Sequence, residues 1–532
     1  MAKRPQRTKQ LPEELNAQQA LMTAQTALNA GDYRTSAGLM IRLAQAAPHF
    51  DPAHLAIGIA FNRMGRHTEA VERLTTAAEL ASDPERPEAP TPQVEMGRKF
   101  NAFMVHTELA RAYTRLGDLD AAQRHLDAAE PVTEESVSKN AHAARLLLAR
   151  GEAAAAADTL RPHLKQGDTD VEVALAAAEV ALKAPDALPP SEAADHVLAT
   201  SKRVGLPAGV LLLLLHAAAD ACDAAGRHDE AVAAWRRAKT IPRVQFKPRL
   251  FMAEVLNIIK GWTNDSISHV VRADTEDPTP VLVVGTPGRM NDAVAKLIAA
   301  HPDAASAGST NFLSEIARNR FNAPTQGNFV TLLRPGTVRG NDTREAGAHY
   351  TRVLQRHAGS SEHARIVDAN ATNLLQLGML SVMNPHAHVV HVVADPFEAA
   401  FDAWTTHSGY AHPFVTENAS LALYARADQI FRKHWETTFQ QDGSRQPYHV
   451  LSVSNLRDEP EQTARALFMF LGLDWHDHLA DAARDAANAP RPDPANYRKS
   501  LKGLADVIQR STISHEAAGI NPETGEMATA ED

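Results

Sequence analysis

Several things are scarce in this sequence. Among 532 residues there is one cysteine, Cys222, and aromatic side chains make up only 5%. A single thiol excludes an internal disulfide, and Cys222 sits in an alanine-rich helical stretch where a small buried hydrophobe is expected rather than a reactive thiol. So few aromatics favour cores in which small residues let helices pack closely. Long apolar runs are missing too: the longest, around Val210 to Leu215, falls far short of the roughly 20 residues of a membrane span. No signal-peptide pattern opens the chain, so the expectation is a cytoplasmic protein with no membrane insertion. Nor is there a basic excess. The formal net charge is -10, which argues against nucleic acid as a partner because phosphate backbones demand clustered Lys and Arg. The length implies at least two domains.

Between Leu21 and Pro242 a short phrase recurs: an apolar helical segment, a glycine, an alanine five positions later and often another seven beyond that. Gly65, Ala70 and Ala77 show it, as do Gly117, Ala122 and Ala129, and Gly226, Ala231 and Ala238; Gly151 and Ala156 give a partial copy. Gly31 to Gly65 and Gly117 to Gly151 each span 34 residues, the length of a helix-turn-helix tetratricopeptide unit. Glycine permits the sharp turn and alanine lets the two helices approach. This half resembles a tetratricopeptide array, with Ser36 in place of the first copy's alanine and loops expected at Ser82 to Val94 and Ala184 to Pro190. The resemblance implies a superhelix that binds a protein or peptide partner; a purely structural or dimerising array is the alternative.

After Lys239 the pattern changes. Strand-like runs at Val281 to Val284, Ala364 to Val367, Val389 to Val393 and His449 to Val453 are separated by helical segments, the rhythm of a parallel α/β sheet. The first run leads through a turn cluster, Gly285 to Gly288, into a helical pattern from Asp292 to Ala300. Backbone N–H groups and the dipole at such a helix start favour an anion. Yet the loop reads Gly288-Arg289-Met290-Asn291-Asp292, with one cation, no hydroxyl after Pro287 and a carboxylate at the helix entrance. If Asn291 or Asp292 caps the helix, it takes the N–H bonds that a phosphate would have taken. A carboxylate about 5 Å from a phosphate charge costs about 3 kcal/mol at an effective dielectric of 20.

An ordered series of short matches continues through this half. Ala300-His301-Pro302 closes the first helix, and Ala307-Gly308 and Asn311-Phe312-Leu313 follow. Ile366-Val367-Asp368, Asn373-Leu374, Asn384-Pro385, Asp395-Pro396, His412 with Phe414, Lys433-His434-Trp435 and Phe470-Leu471-Gly472-Leu473 come after in turn. Over Pro280 to Asp474 the chain resembles the sulfotransferase family, specifically the bacterial class in which tetratricopeptide repeats precede a domain similar to protein-tyrosine sulfotransferases. The resemblance implies an α/β, P-loop-type three-layer domain with a parallel sheet. It also implies 3′-phosphoadenosine 5′-phosphosulfate as cofactor and a hydroxyl as acceptor.

The residues that carry the family's chemistry are largely replaced. Its loop is of the type Pro-Arg-Ser-Gly-Thr-Thr; here Pro287 is kept, Gly288 stands for the arginine, Asn291 and Asp292 stand for the threonines, and Arg289 is displaced by one place. Ala394 and Asp402 stand where the family holds the 3′-phosphate with Arg and Ser, Ala369 where it has a lysine, and Ser309 where it has an acidic base. Sulfuryl transfer needs an aligned hydroxyl, a base and cations on the leaving oxygen. The leading expectation is therefore a degenerate sulfotransferase acting through protein binding, with no cofactor and no assigned catalytic residue. What remains of the cofactor loop is Gly285, Pro287, Gly288, Arg289, Asn291 and Asp292. The alternative is an active sulfotransferase that modifies a peptide presented by the repeats, using Arg289 and the segment Asn496 to Lys502 as substitute contacts; a different anion at the same strand ends is a third reading.

Of the 25 histidines, His388 and His391 lie an odd number of places apart on one strand and so face opposite ways. No metal is expected there, while His407 and His412 with Asp402 are left as a weaker metal or acid-base candidate. Trp404, Trp435 and Trp475 read as packing residues. The expected organisation is a disordered basic tail over 1–12, the repeats over 13–245, a helical connection over 246–279, the sulfotransferase-like domain over 280–514 and a disordered acidic tail over 515–532.

Overall fold

The computed structural model describes residues 17–83, 85, 88–130, 137–165, 170–241, 245–321, 340–359, 361–406, 412–440 and 446–513. The chain divides into two compact units, Met1–Ile241 and Pro242–Asp532. Both expected tails lie outside the described residues.

Among the described residues the first unit is helical throughout, in twelve helices from Ala17–Ala30 to His228–Lys239. Gly117 shows what the recurring glycine does. It follows the helix Pro92–Leu116 with φ 84°, a left-handed conformation that a side chain resists, and its N–H closes the last turn onto Thr114 and Tyr113. Asp118 then caps the helix Leu119–Ala128 by accepting the Ala121 N–H at 3.0 Å. The alanines of the phrase are where the helices meet: Ala70, Ala77, Ala122, Ala129, Ala231 and Ala238 are all buried. Ser36 occupies the same buried place in the first copy. Cys222 is buried, and that burial pushes its thiol pKa up to about 11. Two expected loops are shorter than the sequence suggested. Thr91 caps a helix beginning at Pro92, and another begins at Pro190, because proline suits the first helical position.

The second unit is built on a parallel five-stranded sheet of β1 Pro280–Gly285, β2 Ala304–Ser306, β3 Arg365–Asp368, β4 His388–Val393 and β5 Tyr448–Ser452, in the order β2-β3-β1-β4-β5. β1 is central. Val281 pairs with Val367 on one side and Val283 with Val390 on the other. Alternation along the strands then splits their side chains between two faces. Val281, Val283, Val390 and Val392 pack with Val294, Leu297, Ile298, Leu467 and Phe468, whereas His391 points to the opposite face, toward the helix Asn418–Gln440. Helices therefore cover both faces, as an all-parallel sheet requires.

The helix Pro248–Gly261 packs within this unit, with Phe251 stacked on Tyr424 at 5.5 Å between centroids. Trp404 and Trp435 are buried, and Trp475 packs half-buried against the core. Among the described residues no helix is long and apolar enough to cross a membrane.

Candidate functional site

The turn at the end of β1 is built on a glycine. Gly285 has φ 142°, and a Cβ there would lie 2.6 Å from the carbonyl oxygen of Val392. The chain can therefore turn sharply against β4 only with glycine. Thr286 and Pro287 follow, Gly288 is the extended N-cap, and the helix runs Arg289–Ala299. It starts three residues earlier than its apolar periodicity suggested.

The N-cap is supplied from elsewhere in the chain. Asp402, on the helix Pro396–Thr405, points its Oδ2 at the start of Arg289–Ala299 and accepts the Met290 N–H at 3.2 Å. A Cβ on Gly288 would fall 2.2 Å from that oxygen, so the missing side chain makes room for the carboxylate. Arg289 turns toward the same helix: its Nη1 donates to Thr405 Oγ1 at 2.8 Å and lies 3.7 Å from Asp402 Oδ1. Thr406 Oγ1 donates to the Asp402 carbonyl at 2.7 Å and so fixes the end of that helix. Asp402 is 7% exposed, which makes its charge expensive unless it is paired and hydrogen-bonded.

Neither Asn291 nor Asp292, the two residues considered as caps, caps the helix. They occupy its third and fourth positions, beyond the N-cap, and neither side chain makes a capping hydrogen bond. The Asn291 amide nitrogen is buried without a hydrogen-bond partner. Asp292 reaches solvent, yet the protein around it raises its pKa and Asp402 adds to the rise, while Lys296 and Arg289 oppose it. The start of the helix Arg289–Ala299 thus has one guanidinium, Arg289, and two carboxylates, its own Asp292 and Asp402 from the facing helix. Pro287 keeps its place in the turn.

Behind the loop lies a buried polar chain that the sequence did not disclose. Thr286 Oγ1 donates to Asp428 Oδ2 at 2.9 Å, and His391 Nε2 meets Asp428 Oδ1 at 2.8 Å. On the other side of the ring, His391 Nδ1 lies 2.6 Å from the Tyr448 hydroxyl. Burial, then the Asp428 charge, pushes the Tyr448 hydroxyl above its ordinary range and keeps it protonated. Tyr448, His391, Asp428 and Thr286 thus form one continuous hydrogen-bonded chain. His388, on the opposite face, packs edge-on against Phe470, and burial lowers its pKa to about 4. The only sequence signal for this chain was that odd separation of the two histidines.

A second buried carboxylate ends β3. Asp368 accepts from Thr310 N at 3.1 Å, Thr310 Oγ1 at 2.6 Å, Tyr350 OH at 2.9 Å, Asn370 N at 3.1 Å and Asn373 Nδ2 at 3.0 Å. Burial raises its pKa against the pull of these bonds. Next to it, Ala369 is buried and Ser309 is exposed.

At the end of β4, Asp395 caps Pro396–Thr405 by accepting from Phe397 N and Glu398 N. Glu398 pairs with Arg457 and, at 2.6 Å, with Arg491. Of the segment Asn496 to Lys502, Tyr497 is buried against Phe401 and Arg498 stacks 4.8 Å from the Phe397 centroid. His407 lies outside the described residues, and His412 sits by the Phe414 ring. Among the described residues no three side chains are grouped to hold a metal ion.

An open parallel sheet with a strand-turn-helix at its centre, carried on the same chain as a helical repeat unit, defines the class. Residues 280–477 match a model described as the sulfotransferase family, and residues 53–88 match a tetratricopeptide repeat model. The chain has a tetratricopeptide-plus-sulfotransferase-family architecture. An uncharacterized protein of Aquifex aeolicus (strain VF5) is 23% identical over 285 residues, which cover 52% of this chain and 34% of that relative. The chain thus spans about a third of the length of the curated relative it matches.

Proposed function

We propose that the sulfotransferase-family domain is a pseudoenzyme, and that the chain acts through a protein or peptide bound by its repeats. One observation carries this reading: the helix start that would hold a phosphate is already met by Asp402. A phosphate charge about 5 Å from that carboxylate would cost about 3 kcal/mol. That is roughly a hundredfold in affinity. The side chains present do not fit 3′-phosphoadenosine 5′-phosphosulfate. Arg289 is engaged by Thr405, alanine stands at 369 and 394, and Tyr497 of the closing segment is part of the core. Gly285, Pro287, Gly288, Arg289, Asn291 and Asp292 form the remnant of the cofactor loop. The reading includes a cytoplasmic location, which a lone buried cysteine suits.

Calorimetric titration of the full chain with 3′-phosphoadenosine 5′-phosphate tests it. No binding is expected up to millimolar nucleotide. Micromolar binding that disappears in Arg289→Ala would overturn the pseudoenzyme reading in favour of an active sulfotransferase acting on a protein or peptide hydroxyl.

A further inference from the structure

Within the repeat unit, the helices Pro92–Leu116, Val137–Ala149 and Val171–Lys183 enclose a cavity of about 150 Å³. Each contributes charge or a polar ring to the lining: Arg111 and Arg115 from the first, His142 and Arg145 from the second, Glu179 and Lys183 from the third. The ion pairs around it form one linked network. Glu172 accepts from Arg111 at 2.6 Å, Arg145 at 3.0 Å and Arg63 at 3.1 Å. Glu179 meets Arg115 at 3.0 Å, Lys183 at 3.2 Å and Arg145 at 3.3 Å. Glu108 lies 3.5 Å from both Arg63 and Arg111.

This network does not balance. Five cations face three carboxylates, so two positive charges are left over within it. Burial alone would raise the pKa of each of these carboxylates, but the guanidinium groups outweigh it and hold all three below the usual range. The cations are not equally wet. Arg111 and Arg145 are 13% and 9% exposed, whereas Arg115 and Lys183 are 46% and 58% exposed and form the rim. Inside, His142 is 5% exposed and its Nδ1 has no hydrogen-bond partner. Burial, then Arg111, lowers its pKa to about 3, so the ring is neutral and adds nothing to the surplus.

The volume limits what can enter. About 150 Å³ is the size of a cavity that holds a benzene ring. It is below the roughly 300 Å³ at which small-molecule sites begin. The occupant is therefore one side chain of something larger. We propose that this cavity receives an Asp or Glu side chain of an acidic peptide segment, with a neighbouring acidic residue of that segment meeting Arg115 and Lys183 at the rim. The proposal rests on the reading of the repeats as a partner-binding surface and names the partner's chemistry.

The probe is a capped hexapeptide of glutamate, titrated calorimetrically into the full chain beside the matching glutamine peptide. The glutamate peptide is expected to bind and the glutamine peptide not. Raising salt from about 50 to about 300 mM should weaken binding at least tenfold, because the rim charges are screened. The double variant Arg115→Gln, Lys183→Gln removes the surplus from exposed positions. It should lose at least about tenfold in affinity with an unchanged melting temperature, while Arg115→Lys, Lys183→Arg keeps it. If the variant melts early, the salt series on the unaltered protein still decides. Equal binding of both peptides would overturn the pocket and leave the repeats as a peptide-binding surface. Failure of both peptides, or salt-independent binding, would also overturn it. The nucleotide titration reads the other unit separately, so the two readings can fail independently.

Discussion

Asp402 Oδ2 accepts the Met290 N–H at 3.2 Å across 112 residues of chain, and this bond closes a helix whose own first turn has no capping side chain. Asp402→Ala should therefore destabilise the protein by about 0.5–2 kcal/mol, the range for a lost N-cap. Asp402→Asn, which keeps an accepting oxygen, should cost less. Urea unfolding midpoints measure both. The carboxylate also repels anions, so sulfate should raise the melting temperature of Asp402→Asn by more than that of the parent, beyond the general effect of the salt. An Ala variant as stable as the parent would remove Asp402 from the capping role.

Gly288 is tied to Asp402 by space and not by backbone freedom. Its φ of -176° is open to any residue, but a Cβ would meet Asp402 Oδ2 at 2.2 Å and Cγ at 2.7 Å. Gly288→Ala should cost about 1–3 kcal/mol by overpacking. In Gly288→Ala, Asp402→Ala the clash is gone, so the pair should be at least about 1 kcal/mol more stable than the two single losses added together. A strictly additive double-mutant cycle would argue against the close approach.

His391 and Asp428 bind the loop to the far face of the sheet. Asp428→Ala leaves the Thr286 hydroxyl and His391 Nε2 buried without their shared acceptor, a loss of about 3 kcal/mol or more. Tyr448→Phe removes only the hydroxyl that meets His391 Nδ1 and should cost about 1–2 kcal/mol. Denaturant unfolding of the two variants, compared at the same pH, should preserve that order. The reverse order would place the main tie at Tyr448.

Local patterns were readable in the sequence, and pairings at a distance were not. The repeats announced themselves because each glycine and its alanines act within one helical hairpin, as Gly117, Ala122 and Ala129 do. Four strands were visible from their β-branched runs to within a residue at each end; β2, only Ala304 to Ser306, carries no such run. Replacement of the family's loop residues is plain from the chain, but the only caps the sequence suggests are Asn291 and Asp292, because they are neighbours of the turn. Asp402 could be found only once the fold brought the last turn of Pro396–Thr405 against the start of Arg289–Ala299. The same holds for Asp428, which reaches Thr286 from 142 residues away, and for Glu172, which gathers arginines from three helices.

Stability should respond to pH in opposite senses at His142 and at Glu254. In the repeats, Glu108, Glu172 and Glu179 have pKa values below the ordinary 4.5 when folded, and His142 falls from 6.5 to about 3. A depressed folded pKa contributes stability above the unfolded value and loses it as pH falls through the folded one. The contribution of these groups should therefore fall below about pH 6.5 as unfolded His142 takes up its proton, and more steeply below about 4.5 as the carboxylates do. Glu254, in the other unit, behaves oppositely: burial raises it from 4.5 to about 8, and its Oε1 has no hydrogen-bond partner. Its contribution is complete below 4.5 and is lost as pH rises through 8. Glu254→Gln removes that dependence. Its unfolding midpoint should gain steadily on the parent's between about pH 5 and 8 and gain no more above that. Midpoints that run parallel across the series would show that Glu254 ionises in the fold as it does in water.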